Sequence, residues 1–527
     1  MIPLLLLWSL AIAAALFGVS ALVLWSHARF TERARRARGP DSHHLPRPSG
    51  PEGDTALDRL LDPLESAHPG RNGLANLIHP EDAFAARSLS ARAAGRSLDL
   101  IYYIWRTDRS GWLLIADLVA AADRGVRVRL LLDDIHVQGF DFTFLGLTQH
   151  PNIEVRLFNP IRSRGHWLRR AVEFLLGISR FNRRMHGKIW IADGRLAILG
   201  GRNIGDTYLD GSASADQRAH DADILLAGPL VADTAEAFDR FWNLGLSLPL
   251  LALWPGLRLT PRRFRRRLRR HMADPQAQAL RTRAIAGRDA AAVLAAPLRW
   301  TDAVTLLADP PDKALGQRRG PWLLDSIADL LKGAQHEVCL TTPYLVPGRA
   351  GLHLLTALAE KGIRLRLLTN SLASTDLFAV HAAYSWYRKP LLEAGAELHE
   401  FAPPPPRRFA LPPALGRRRD LLHSKIFLID RRHALVGSHN FDMRSAYINI
   451  ELGLLFHEPA LVAELAALFD AQTSPTSAHA VTLRGDQMRW RLRREDGTDL
   501  LSTREPDASL PRRLAAGVIA RLPHDWF

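Results

Sequence analysis

The chain reads as an α/β protein of two similar halves packed around one shared site and preceded by a transmembrane helix. Three observations lead there: an uncharged apolar run at the amino terminus, helix and strand signals that alternate through the body in two parallel passes, and one polar pattern that occurs once in each pass. At 527 residues the chain exceeds one ordinary domain, and 47% apolar content excludes a wholly disordered protein. A net charge of +15 calls for an anionic partner, either nucleic acid or an acidic membrane surface, without choosing between them. A lone cysteine, Cys339, excludes an intrachain disulfide and a multi-thiolate zinc site.

The amino-terminal run, residues 2–26, is long enough at about 1.5 Å per residue to cross a hydrocarbon core of about 30 Å. Arg29, Arg33, Arg35, Arg36 and Arg38 follow it and no basic side chain precedes it, so the positive-inside rule places the body on the cytoplasmic side. A cleaved signal peptide is the competing reading; it lacks its charged leading region here, and the apolar run is long for one. Residues 27–55, basic and then rich in Pro, Ser and Gly, read as a flexible tether.

The body divides into a first half, 56–250, a basic linker, 251–300, and a second half, 301–527. In the first, a strand signal at 100–105 is followed by a helix at 112–124, a stop at Gly125 and a strand at 126–132. In the second, a strand at 337–342 is followed by a helix at 352–360, a stop at Gly362 and a strand at 363–368. Such alternation predicts a mostly parallel sheet with helices on its faces.

The chemistry concentrates in the repeated pattern. His186-Gly187-Lys188 leads to Asp193 and then to Gly200-Gly201-Arg202-Asn203; His423-Ser424-Lys425 leads to Asp430 and then to Gly437-Ser438-His439-Asn440. Residues two apart on a strand share a face, so each His and Lys point the same way. Asp193-Gly194 is a hairpin turn signal, and a return strand at 196–199 carries the small residues and Asn203 back beside the histidine. Each repeat thus offers an imidazole, an ammonium and an amide to one point. The chain has only six lysines among 69 basic residues, yet Lys188 and Lys425 occupy equivalent places. A compact ammonium suits a small anionic group better than the planar fork of arginine.

These residues resemble the paired HKD motifs of the phospholipase D superfamily over about residues 57–527, and the resemblance implies two phospholipase D-like α/β/α halves around one active site without metal or other cofactor. It further implies that one histidine attacks phosphorus while the other protonates the leaving oxygen. On that basis His186 is assigned as nucleophile and His423 as general acid, then base. Lys188, Lys425, Asn203 and Asn440 would hold phosphoryl oxygens, and Asp193 and Asp430, members of the same catalytic motifs, would fix local geometry. An attacking histidine needs its second ring nitrogen held by an acceptor. Glu451 is the candidate in the second repeat and Asp223 takes the parallel place in the first, with an ordinary exposed carboxylate as the alternative for either.

The phrases from Gly200 to Tyr208, from Phe238 to Asn243, and Asp442-Met443-Arg444-Ser445 with Asn449 and Glu451 are similar to bacterial cardiolipin synthases. That similarity implies a bacterial-type inner membrane location, phospholipid substrates, a phosphohistidine intermediate and no nucleic acid partner. Phosphatidylglycerol would react with phosphatidylethanolamine, or with a second phosphatidylglycerol. The oligomeric state is not implied. Alternatives in the superfamily are a phospholipase D that releases phosphatidic acid, a nuclease, and a non-catalytic relic. Two basic segments remain. Residues 261–270 fit an interfacial segment on anionic lipid, a solvated linker or a nucleic-acid contact. Residues 407–419, just before His423, read as a rim of the active-site mouth.

Overall fold

The computed structural model describes residues 2–47, 54–165, 167–210, 217–254, 260–317, 320, 322–403, 420–494 and 496–521. The first half contributes strands β1 (Asn72–Leu77), β2 (Ser97–Tyr102), β3 (Arg127–Asp133), β4 (Ile153–Phe158), β5 (Ile189–Ala192), β6 (Leu196–Gly200), β7 (Ala219–His220), β8 (Asp223–Ala227) and β9 (Ser247–Pro249), and the segment after it adds β10 (Arg299–Thr301). The second half contributes β11 (Val304–Ala308), β12 (Glu337–Thr341), β13 (Leu345–Val346), β14 (Arg364–Asn370), β15 (Glu397–Phe401), β16 (Leu421–Leu422), β17 (Ile426–Ile429), β18 (His433–Gly437), β19 (Phe441–Asp442) and β20 (Leu452–Phe456), followed by β21 (Ala478–Arg484), β22 (Gln487–Arg493) and β23 (Asp499–Ser502).

Two large sheets result, ordered β10-β1-β8-β6-β5-β2-β3-β4-β9 and β11-β20-β18-β17-β12-β14-β15-β21-β22-β23. From β1 to β4 the first order repeats in the second from β11 to β15, so the duplication is one of topology as well as of motif. The sheets are mixed rather than mostly parallel. Only β2-β3-β4 and β12-β14-β15 run parallel, and all the other pairs in these sheets are antiparallel. Helical crossovers produce the parallel pairs; the hairpins at the motifs reverse the chain and produce the others. Both hairpin turns place two residues at positive φ: Asp193 (56°) with Gly194 (65°), and Asp430 (54°) with Arg431 (50°). This is the turn whose twist matches its flanking strands.

The two sheets are joined by one apolar core. Ile101, Ile189, Ile224 and Leu226 of the first half are buried in the same cluster as Ile426, Val436, Leu454 and Phe456 of the second. The helices Leu230–Trp242 and Pro459–Gln472 add Phe238, Trp242, Leu465 and Phe469 to it. Each half also has its own core beneath its outer helices.

Two segments differ from the expected domain plan. The amino-terminal helix continues past the apolar run and spans Ile2–Ala37, because 27–37 holds no Pro or Gly to stop it and its last turns find partners. Phe30 and Ala34 are buried against the body, and Arg35 donates to the Gly245 carbonyl (3.3 Å). The part of the tether beyond it docks as well: the His44 N–H and ring Nδ1 each lie 2.8 Å from Asp239, and Arg129 donates to the Ser42 carbonyl (2.7 Å). Residues 48–53 of the tether lie outside the described residues. The stretch between the halves is no open linker either. It forms helices Pro261–Met272, Pro275–Ile285 and Ala290–Leu294, which pack on the first half's helices Pro80–Ala93 and Arg109–Asp123. Phe264 and Leu268, four apart on one face, turn inward with Phe264 6.2 Å from the Trp112 ring, while Arg262, Arg263, Arg266, Arg269 and Arg270 stay exposed. The second basic segment, 407–419, lies outside the described residues.

Candidate active site

Each motif histidine sits just before a central strand, β5 or β17, and its backbone is bonded to the opposite half. The N–H groups of His186 and Gly187 donate to the Ile450 carbonyl (3.0 and 3.1 Å), and those of His423 and Ser424 donate to the His220 carbonyl (2.8 and 2.9 Å). β16 pairs with β7 in parallel, tying the segment before His423 to the first half. Arg444 adds a further clamp across the junction, donating to the side chain and the carbonyl of Asn182 (2.6 and 3.0 Å).

The side chains follow the same exchange. His186 Nδ1 lies 2.9 Å from Glu451 of the second half, and His423 Nδ1 lies 2.5 Å from Asp221 of the first. Glu451 accepts in addition from the hydroxyls of Ser438 and Ser445 (2.7 Å for the latter), which leaves the ring one rigid acceptor. With Nδ1 held by a carboxylate, Nε2 of each ring is the nitrogen left for chemistry. Tyr103 packs edge-on against His186 (4.9 Å between ring centres) and Tyr208 against His423 (5.2 Å), fixing the ring planes.

All four motif cations and imidazoles are buried. Lys188 donates to the His186 carbonyl and lies 5.5 Å over the Tyr103 ring; Lys425 donates to the His423 carbonyl and approaches His423 Nδ1 at 2.9 Å. Burial and the neighbouring Lys425 bring Lys188 down to about 7, and burial likewise lowers Lys425. Burial holds His186 down to about 4, against the opposing pull of Glu451, and it also lowers His423. Burial would raise Glu451, but the His186 ring and its hydrogen bond outweigh that and hold the carboxyl at about 2. The resting pocket therefore holds a neutral His186 braced by an ionised Glu451, beside two buried lysines placed to meet an anion. Asn203 is buried beside this pocket: its carbonyl accepts from the Ile104 N–H (3.1 Å), and its side chain lies against Tyr208, which packs on His423. Asn440 is buried at the equivalent place, its N–H donating to Ser445 (3.2 Å).

Three residues singled out in the sequence lie elsewhere. Asp223 is not the ring partner; its carboxylate accepts from the buried Arg87 (2.8 Å) and from the Arg202 N–H (3.1 Å). The register explains the shift. Gly200 pairs with Asp223 and Gly437 with Gly453, so the residue equivalent to Glu451 is Asp221, two places earlier. The signal was in His220-Asp221-Ala222-Asp223, where either aspartate could face the pocket until the ladder was known. Asp193 and Asp430 sit at the far ends of β5 and β17 from the histidines. Asp193 accepts from the N–H groups of Gly95, Arg96 and Ser97 (2.9, 2.7 and 3.0 Å), and Asp430 from those of Gln335, His336 and Glu337 (2.9, 2.7 and 2.9 Å). They latch the start of β2 and β12 and touch no motif histidine or lysine.

The motif glycines also have a reason other than ligand approach. A Cβ on Gly200 would stand 2.4 Å from the Asp223 carboxylate, and one on Gly201 would stand 2.3 Å from that of Asp221. Their absence of side chain is what lets the carboxylate strand close on the motif. Arg202, fully buried, donates to the carbonyls of Tyr208 (2.8 Å), Ile78 (2.9 Å) and Asp221, and so anchors the residue that braces His423.

Comparison with known proteins agrees with this duplicated arrangement. Residues 90–242 and 327–473 both match the family model described as cardiolipin synthase, PLD-like domain. The chain is 35% identical to cardiolipin synthase C of Escherichia coli (strain K12) over 485 residues, 88% of this chain and 98% of that protein. It is 26% identical to cardiolipin synthase B of Shigella flexneri, over 68% of this chain and 69% of that one. Among solved structures, phosphatidylserine synthase of Haemophilus influenzae superposes with a TM-score of 0.52 at 15% identity, covering 81% of this chain and 92% of that one, a likeness of fold.

Proposed function

The chain belongs to the PLD-like cardiolipin synthase family and is a phospholipid phosphatidyltransferase of it, and we propose that it forms cardiolipin through a phosphatidyl–histidine intermediate built at the junction of its halves. The observation that carries the reading is the crossed bracing of the two histidines, Glu451 on His186 and Asp221 on His423. Nε2 of His186 attacks the phosphorus of a phospholipid, and the bond from phosphorus to the headgroup oxygen breaks. His423 gives that oxygen a proton. The headgroup alcohol leaves, and a hydroxyl of phosphatidylglycerol takes its place; His423 removes the hydroxyl proton as the oxygen attacks phosphorus and the bond to His186 breaks. Lys188, Lys425, Asn203 and Asn440 bear the charge on the phosphoryl oxygens throughout, and a buried site strengthens each of those contacts.

The amino-terminal helix, apolar over 2–25 and largely exposed over 7–25, serves as the membrane anchor, with the body on the cytoplasmic side of a bacterial inner membrane as the arginines after it favour. The outward arginines of the helix Pro261–Met272 face anionic lipid headgroups.

Vesicles of phosphatidylglycerol, with and without phosphatidylethanolamine, incubated with the purified protein and analysed by mass, test the reaction. Cardiolipin is the expected product, and the headgroup released, glycerol or ethanolamine, identifies the donor. Phosphatidic acid alone would replace transfer with hydrolysis. His186→Ala and His423→Ala are each expected to lose about 10²–10⁴-fold in turnover or more, and a denatured, acid-labile phosphatidyl adduct should be recoverable on His186 and absent from His186→Ala.

A further inference from the structure

Between β4 and β5 the chain leaves the sheet and returns immediately before His186. The excursion holds the helix Trp167–Leu176 and the short helix Ile178–Phe181. Glu173 is the residue of the longer helix that is buried, and it accepts from His27 Nδ1 (3.0 Å) and from the N–H groups of Arg162 (3.0 Å) and Ser163 (3.1 Å). Arg162 donates to Ser26, and Phe181 meets the His27 ring edge-on at 5.7 Å. The excursion is thus clamped to the amino-terminal helix at Ser26 and His27, where the apolar run ends and the basic run begins.

The side of the helix opposite Glu173 is apolar. Leu168 and Leu175, seven residues apart, are 60% and 66% exposed, with Trp167 (74%) and Ile178 (50%) beside them. Arg169 is exposed and Arg170 partly so on the flanks. No described residue covers the stripe. A contiguous apolar face of this kind marks a binding surface, and its composition, leucine and tryptophan flanked by arginine, is that of a helix lying in a lipid interface.

We propose that the Trp167–Leu176 helix is a second membrane contact, lying in the headgroup–acyl boundary of the leaflet from which the amino-terminal helix emerges. The inference rests on that helix being the anchor. Its occupant is lipid because the stripe stands at the level where the anchor leaves the bilayer, fixed there by His27–Glu173. Arg183 and Arg184 connect the excursion to Met185 and His186, and the Ile450 N–H donates to the Arg184 carbonyl (2.8 Å). The helix therefore holds the wall of the catalytic junction against the surface that supplies its substrate.

Cys339 is buried and is the one cysteine of the chain, so its replacement by Ala leaves a clean background for labelling. Single cysteines at Leu168, Leu175 and, as a control, Asp486 in the exposed β21–β22 turn would carry nitroxide labels in the full-length protein. The protein would be reconstituted in vesicles of phosphatidylethanolamine and phosphatidylglycerol. At 168 and 175, collisions with oxygen should exceed those with a water-soluble nickel chelate, and at 486 the reverse. Chelate access at 168 and 175 equal to that at 486 would overturn the proposal, as would spin–spin broadening that places a second copy of the chain on the stripe. The readout needs no turnover, so it fails independently of the catalytic reading. Leu168→Glu combined with Leu175→Glu should lower kcat/KM on vesicles by about tenfold or more, since the helix would no longer seat its apolar side in the interface. Turnover of a soluble short-chain phospholipid should be unchanged; an equal loss on both substrates counts against the proposal.

Discussion

Lys188 and His186 set opposite limits on the pH range of this site, and both follow from burial. A lysine brought to about 7 in the free enzyme loses its charge as pH rises through that value. His186, held down to about 4, stays neutral until pH falls that far, as the proposed nucleophile requires. The profile of kcat/KM, which reports free-enzyme groups, should be a bell with its acid limb near the His186 value and its alkaline limb at or below the Lys188 value, since the proton-donating His423, which burial also lowers, must be charged as well. A bound phosphodiester favours the ammonium, so the alkaline limb of kcat should lie higher than that of kcat/KM. A flat kcat/KM between pH 6 and 9 would contradict the assignment of Lys188. The carboxylates allow a sharper comparison. Glu451→Gln and Asp221→Asn remove the charge that steadies each imidazolium and should cost about a hundredfold or more in kcat with little change in fold. Asp223→Asn should behave differently: it breaks buried bonds to Arg87 and Arg202 and should cost roughly 3–5 kcal/mol of stability. Denaturant melts beside kinetics on the three variants separate the roles. Legibility at these positions was uneven. The histidines, lysines and asparagines stood out because their spacing repeats, whereas the ring partner of His423 depended on strand register, which two aspartates at 221 and 223 leave open.

The hairpins that carry the motifs show what the repeated aspartates do. Asp193 and Asp430 each gather three consecutive backbone N–H groups at the start of the next strand, a place where the chain has no ladder partner for them. Removing the carboxylate leaves those donors unmet, so Asp193→Ala should cost about 1–3 kcal/mol. It should also lower activity in proportion to the folded fraction, unlike the histidine variants, which lose turnover while folded. Thermal melts and specific activity per folded molecule distinguish the two. The turn itself was readable from Asp193-Gly194, and its partner at Asp430-Arg431 was hidden, since Arg431 adopts a conformation that favours glycine. Its guanidinium is fixed there by Glu337 (2.7 Å) and Asp470 (2.7 Å), bonds made only after β12 and the Pro459–Gln472 helix are in place. The basic stretch at 261–270 was opaque for a similar reason. Its arginines dominate the composition, while the two side chains that decide its packing, Phe264 and Leu268, matter only against a helix that begins at Arg109.

The molecule as a whole is a duplicated unit in which neither copy is chemically complete. Both histidine–carboxylate contacts span more than two hundred residues, His186 to Glu451 and Asp221 to His423, so the spacing of the motifs announces two units without revealing that they exchange partners. The apolar core between the sheets is likewise shared, and cutting the chain would expose it on both pieces. The segment between β10, the edge of one sheet, and β11, the edge of the other, is only Asp302 and Ala303, the natural place to divide the chain. Fragments 1–301 and 302–527 produced separately should each be inactive and prone to aggregate, because each presents an apolar sheet face and a histidine without its carboxylate. Produced together they should restore transfer, since the contacts across the junction, not the peptide bond, hold the site. Complementation can then locate the exchange: a 1–301 fragment with Asp221→Asn should disable the His423 of its partner, although that histidine lies in an unaltered fragment. An active 302–527 fragment on its own would show that one motif suffices, and the crossed site would then have no catalytic meaning.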